Sequence, residues 1–144
     1  MYETFDHTAD VGLRVRAAEI NDLFSEAARA MFSVMADLDE VRAGEQVDYA
    51  LEDSEIDELL RKWLAELLYT FHVRHLLLSR FDVAVDKLGD PKADGVYSLA
   101  ATAWGEPIDP NRHKLDVEIK AVTWHGLRAV QTPDGWLAEV IVDL

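Results

Sequence analysis

A chain of 144 residues with 49% hydrophobic and 29% charged residues has the balance of a protein that folds around its own core, which excludes a disordered tail. No apolar run approaches the roughly 20 residues of a membrane-spanning helix, and the absence of cysteine excludes disulfides and thiolate metal sites, so any metal must be held by oxygen or imidazole. Fourteen Lys and Arg against 28 Asp and Glu leave a net charge of -14, which repels phosphate backbones and suits a basic protein partner or metal cations better than direct nucleic-acid binding.

The chain opens on a strand candidate at residues 2–7 that runs into FDHTAD, where Asp6, His7, Thr8 and Asp10 crowd together before an alternating strand at 12–17. The N-terminus has neither the basic nor the apolar region of a secretion signal, so a cytoplasmic location is expected, with one domain over residues 1–144. Ile20, Leu23, Phe24, Ala27, Ala28, Met31, Phe32 and Met35 then form an unbroken apolar stripe at helical period. After a strand at 46–52, Ile56, Leu59, Leu60, Trp63, Leu64, Leu67, Leu68 and Phe71 repeat the same spacing. Ser54, three residues before Asp57, offers a capped start for this second helix. The two matching stripes hint at a duplication that the flanking sequences do not support.

Strands follow at 76–86, 96–104, 115–124, 126–131 and 136–142 with no helix between them. Gly89 to Gly95 (GDPKADG) reads as a hairpin loop. Thr132-Pro133-Asp134-Gly135 reads as a tight turn, with proline fixing one φ and glycine accepting a positive one. Consecutive strands of this kind favour an α+β fold of two layers, a mainly antiparallel sheet covered by the two long amphipathic helices.

P-loop, GxGxxG, HExxH and GxSxG signatures are all absent. The remaining chemistry lies in isolated polar groups: His7, Thr8 and Asp10; the loop Trp104 to Pro110; Lys120, Thr123 and His125; and Asp143 in the closing VIVDL. Taken alone, Asp10 reads as a turn or capping aspartate, Asp143 as a solvated residue and Asp6 as a solvated flank, with a metal role for the first two left open. His7 and His125 read as hydrogen-bonded structural histidines, Lys120 as the solvent side of a strand, and Trp63 and Trp104 as core or rim aromatics. Asp53, Glu55, Asp57 and Glu58 read as a solubilising face that also suits a helix N-terminus.

Six stretches in order resemble the archease family over essentially the whole chain: DHTADVGLRV at 6–15, FSVMADLDEV at 32–41, WLAELLYTF at 63–71, AWGEPIDPNRH at 103–113, KAVTWHGL at 120–127 and VIVDL at 140–144. The resemblance implies a non-catalytic protein cofactor of the GTP-dependent RNA ligase that joins 3'-phosphate or 2',3'-cyclic phosphate ends to 5'-hydroxyl ends, as in tRNA splicing. Such cofactors promote guanylylation of the ligase's active-site histidine, support repeated turnover and broaden nucleotide choice. The family's metal ligands fall on Asp10, Asp143 and the main-chain carbonyl of Leu144, an all-oxygen set that suits calcium first, or magnesium or manganese. His7 and Lys120, and less directly His125, fall beside that site as orienting or partner-contacting groups. Asp10 and Asp143 can share a cation only if the first and last strands lie together. Two other classes stay in view, a metal-dependent phosphoester hydrolase using the same carboxylates with His7 as base, and a general chaperone or modulator of nucleic-acid-processing proteins.

Overall fold

A computed structural model describes residues 1–7, 10–88 and 95–144, the side chains of Asp6 and His7 excepted. Its strands are β1 (Tyr2–His7), β2 (Asp10–Ala17), β3 (Glu45–Asp53), β4 (Leu76–Leu88), β5 (Val96–Pro107), β6 (Ala121–Val122), β7 (Arg128–Thr132) and β8 (Gly135–Asp143). The helices are α1 (Ile20–Met35) and α2 (Ile56–Arg74), with a short 3-10 turn at Leu38–Glu40. Among the described residues no helix is long and apolar enough to cross a membrane. Thr8 and the loop expected between Gly89 and Gly95 lie outside the described residues, apart from Gly95 itself.

Both helices follow their apolar stripes. Every stripe residue is buried except Ile20 and Ile56, which open the first turns and are half-covered. α2 does not start at a Ser54 cap. Glu55 takes the capping position without a side-chain bond, and the Glu55 N–H is met from outside by Asp53 Oδ1 at 3.0 Å. That carboxyl is held below the usual carboxylate range by its bond to Lys62, 2.8 Å away, and by backbone N–H groups. At the other end His75 adopts a left-handed conformation (φ 53°) and its N–H closes the helix on Phe71 O.

The α+β fold is as expected, and every strand pairing is antiparallel, but the strands divide into two sheets. The first runs β1-β2-β8, with the far edge of β8 shared by β6 and β7; the second runs β3-β5-β4. Side-chain alternation decides what each sheet buries. On β2 and β8, Leu13, Val15, Ala138, Val140 and Val142 face a core shared with both helices and with Phe81, Val83 and Leu99 of the second sheet. Trp63 stands at its centre, edge-on to Tyr49 (5.3 Å) and Phe81 (6.2 Å), with its indole N–H on the Phe24 carbonyl at 3.0 Å. Each large apolar side chain sequestered this way contributes about 1.5–3 kcal/mol.

Two strand boundaries depart from expectation. The expected strand at 115–124 shrinks to Ala121–Val122, with Leu115 making only an isolated bridge to Ala36. Ala121 lies opposite Asp143, where β8 ends, so the residues before Ala121 extend past their partner strand; Leu115 and Val117 stay exposed. β5, in contrast, continues through Trp104 to Pro107, residues expected in a loop. Gly105 permits this: a Cβ there would meet Leu77 O at 1.8 Å, beside the register shift between Leu78 and Arg80.

The Pro133-Asp134 turn joins β7 to β8 as expected, with Thr132 opposite Gly135. Gly135 has φ +143° and sits so close to β2 that a Cβ would lie 2.4 Å from Ala17 O. Gly135→Ala therefore meets both a forbidden φ and a backbone clash, and is expected to destabilise the chain by about 1–3 kcal/mol. A urea unfolding midpoint unchanged by the substitution would contradict this geometry.

Candidate functional site

β2 begins at Asp10, two residues earlier than its hydrophobic alternation suggests. Asp10 is therefore a strand residue rather than a turn or cap. Antiparallel pairing with β8 sets Asp10 directly opposite Asp143, Gly12 opposite Ile141 and Arg14 opposite Glu139. Leu13 and Val15 face the core, so these pairs lie on the outer face of the sheet. Directly opposed side chains carry their Cβ atoms about 4.5–5.5 Å apart, and like charges so placed oppose each other. Both aspartates are half-buried. The carboxylates at the two ends of the sequence thus form one cross-strand pair.

The register extends this row on both sides. β1 places His7 opposite Asp10, and β6 places Ala121 opposite Asp143. The His7 side chain lies outside the described residues. Lys120 is exposed, as its strand pattern suggested, while its main-chain N–H donates to Asp143 O at 2.7 Å. Thr123 donates both its N–H (3.0 Å) and its Oγ1–H (2.9 Å) to Ile141 O. The exposed His125 gives its main-chain N–H to Thr123 Oγ1 at 3.2 Å.

The next rows separate the aspartates from the cations of the same face. Phe5 lies over Gly12, where a Cβ would stand 2.0 Å from its ring, and Arg14 stacks on that ring at 4.7 Å. Arg14 then bridges Glu3 (3.2 Å) and Glu139 (3.3 Å), while Arg128 reaches Glu139 at 2.7 Å. Partial burial alone would raise the Glu139 carboxyl, but Arg128 and Arg14 outweigh it and hold the group below the usual carboxylate range. That contribution is present above the usual range and is lost as pH falls through the lowered value.

Asp10, Asp143 and the Leu144 carbonyl are all hard oxygen donors, which suit calcium, magnesium or manganese better than zinc. The carbonyl of Asp143 accepts the Lys120 N–H, and the Leu144 carbonyl is the main-chain ligand that the family resemblance implies. Among the described residues no three His, Asp or Glu side chains gather as a metal cluster. A cation here would have to complete its shell with main-chain oxygen and water, as hard cations commonly do.

The stretch AWGEPIDPNRH, singled out from the sequence only as isolated polar groups from Trp104 to Pro110, forms a second polar cluster that takes in Arg112 and His113. Glu106 pairs with Arg112, accepts the Arg42 N–H and lies 3.4 Å from Nε2 of the buried His113. His113 Nδ1 accepts the Asp109 N–H at 2.9 Å, and Arg112 reaches Glu40 O at 2.8 Å. These bonds tie the loop after β5 to the turn after α1. The dense Glu, Arg and His content of a proline-containing loop was the available signal.

A sequence profile described as the Archease protein family (MTH1598/TM1083) matches residues 2–144. The chain belongs to the archease family. The protein named archease of Methanopyrus kandleri is 38% identical over 143 residues, covering 99% of both chains. That of Pyrococcus furiosus is 31% identical over 144 residues, covering 99% of this chain and 98% of its own. The solution structure of protein 1598 of Methanobacterium thermoautotrophicum superposes with a TM-score of 0.80 at 34% identity, over 99% of this chain and 98% of the other. An archease fold accounts for both sheets and both helices, and it carries the Asp10/Asp143 pair at one end of its five-stranded sheet.

Proposed function

We propose that this archease-family chain is a non-catalytic activator of the GTP-dependent RNA ligase that joins 3'-phosphate or 2',3'-cyclic phosphate ends to 5'-hydroxyl ends, as in tRNA splicing. In this reading it promotes guanylylation of the ligase's active-site histidine, sustains multiple turnover and widens nucleotide use, acting in the cytoplasm on the ligase and not on RNA. The observation that carries the reading is the cross-strand pairing of Asp10 with Asp143 in a chain of this family. The two carboxylates and the Leu144 carbonyl would hold a divalent cation, calcium foremost. A bound cation would neutralise the opposed charges and present a positive centre at this end of the sheet.

The acidic protein docks on the ligase, and the Asp10/Asp143 end favours the guanylylation-competent ligase by binding that state more tightly than the others. A coupling of about 1–3 kcal/mol would accelerate the step some 5- to 150-fold. His7 and Lys120, with His125 beyond them, are placed as orienting or ligase-contacting groups. A multiple-turnover ligation assay at matched GTP and manganese, with guanylylation followed in parallel, tests this. Asp10→Ala and Asp143→Ala proteins are expected to stay folded and to lose stimulation; normal stimulation by both would overturn the assignment.

A further inference from the structure

β6 is two residues long, too short for its own ladder to hold it in place. Yet Ala121 pairs with Asp143, and the adjoining Lys120 N–H binds Asp143 O. Thr123 adds its N–H and Oγ1–H on Ile141 O, and α2 holds the segment from the other side. Arg61 directs Nη1 to the carbonyl of Val122 at 3.3 Å and lays its guanidinium over the Trp124 ring at 3.6 Å. Glu58, one turn earlier on α2, accepts the Trp124 indole N–H at 3.1 Å and lies 3.9 Å from Arg61 Nε.

The three side chains close a ring that joins α2 to the segment on both sides of β6's end. Trp124 is 60% exposed, so burial does not hold its indole there. The Arg61 side chain is only 18% exposed, and its Nε is shut away from solvent without a hydrogen-bond partner. A planar guanidinium can stack on the ring and reach the carbonyl at once; a lysine ammonium has no flat face with which to do both.

We infer that Arg61 is a positioning residue: through Trp124 and the Val122 carbonyl it clamps β6 onto α2, and β6 in turn braces the end of β8 that carries Asp143, whose register against Asp10 the β2-β8 ladder sets. This rests on the reading of the Asp10/Asp143 end as the cation-holding, ligase-facing site. Arg61 touches neither aspartate; it acts through the strand that pairs with Asp143. Outer partners of this kind, when removed, typically lower metal affinity roughly 10- to 100-fold.

The test uses the full chain and its Arg61→Met, Trp124→Ala and Trp124→Phe variants, with calcium titration calorimetry and residue-resolved amide exchange. Arg61→Met and Trp124→Ala are expected to speed exchange of the Lys120 and Thr123 amides while Leu13 and Val15 keep their protection, and to weaken calcium binding roughly 10-fold or more. Trp124→Phe keeps a ring for the guanidinium but loses the bond to Glu58, and is expected to fall between Trp124→Ala and the unaltered chain. A change confined to overall stability would speed all four amides together. Unchanged Lys120 and Thr123 exchange in Arg61→Met overturns the positioning role, as does unchanged calcium affinity where the unaltered chain binds calcium. If the unaltered chain binds no calcium, the cation reading itself fails, and the amide data alone decide whether the clamp exists.

Discussion

Asp143→Asn should unfold at a higher temperature than the unaltered chain in chelator, and at a lower temperature in excess calcium. The crossing follows from the register. Asp10 and Asp143 are direct cross-strand partners, and because like charges so placed are destabilising, removing one of them relieves a repulsion. The same pair supplies the charge that would hold a cation. A ligand at a hundredfold excess over its Kd adds about 2.7 kcal/mol to the state that binds it, and in a chain of this size each kcal/mol moves the midpoint by roughly 2–4 °C. The unaltered chain is therefore expected to gain several degrees with calcium, and the variant little. Differential scanning calorimetry in chelator and in calcium checks both signs. An equal calcium shift in the two proteins would sink the assignment of Asp143 as a ligand.

The largest loss of stability is expected at Trp63. The indole is fully buried, touches Tyr49 and Phe81 edge-on, and gives its N–H to the Phe24 carbonyl of the neighbouring helix. Trp63→Ala removes those contacts and leaves a void between α1, α2 and both strands of the second sheet that carry these rings. Truncations of this kind cost about 3–5 kcal/mol, against a total of only about 5–15 kcal/mol for a domain. Urea denaturation should show a midpoint lowered accordingly with a similar slope. A loss below about 1 kcal/mol would mean that the core collapses onto the gap far more readily than close packing allows.

How much of this was legible beforehand depended on whether a feature is local. The two apolar stripes placed α1 and α2 because helical period is written in neighbouring residues, and Pro133-Asp134-Gly135 placed the β7-β8 turn for the same reason. Ser54 misled because the helix begins one residue later, behind Glu55, whose own N–H is taken by Asp53 Oδ1. The strand expected at 115–124 failed for want of a partner rather than of pattern: Leu115, Val117 and Ile119 alternate well, but β8 stops opposite Ala121. The division into two sheets has no local signature at all.

The site was legible only through the family resemblance. Asp10 and Asp143 look ordinary in their own stretches, and what joins them is the register of β2 on β8, set by burial of Leu13 and Val15 against Val140 and Val142. A slip of one residue would turn one of the two strands inside out. Glu58 reads from the sequence as part of a solubilising face, and Arg61 and Trp124 carry no signal of their own until their contact is seen.

β8 also sets a constraint in time. It lies in the middle of its sheet, between β2 on one side and β6 and β7 on the other, although it follows all of them in the sequence. As the chain emerges from the ribosome, the β1-β2 hairpin waits without its neighbour until residues 135–143 appear, and of the β2-β8 pairs Asp10 with Asp143 is the last to become available. Assembly of this sheet is governed by contacts far apart in sequence, which slows folding relative to helical proteins of the same size. Nascent chains halted before residue 135 would thus expose an open β2 edge to whatever strand they meet, a hazard that ends when β8 inserts.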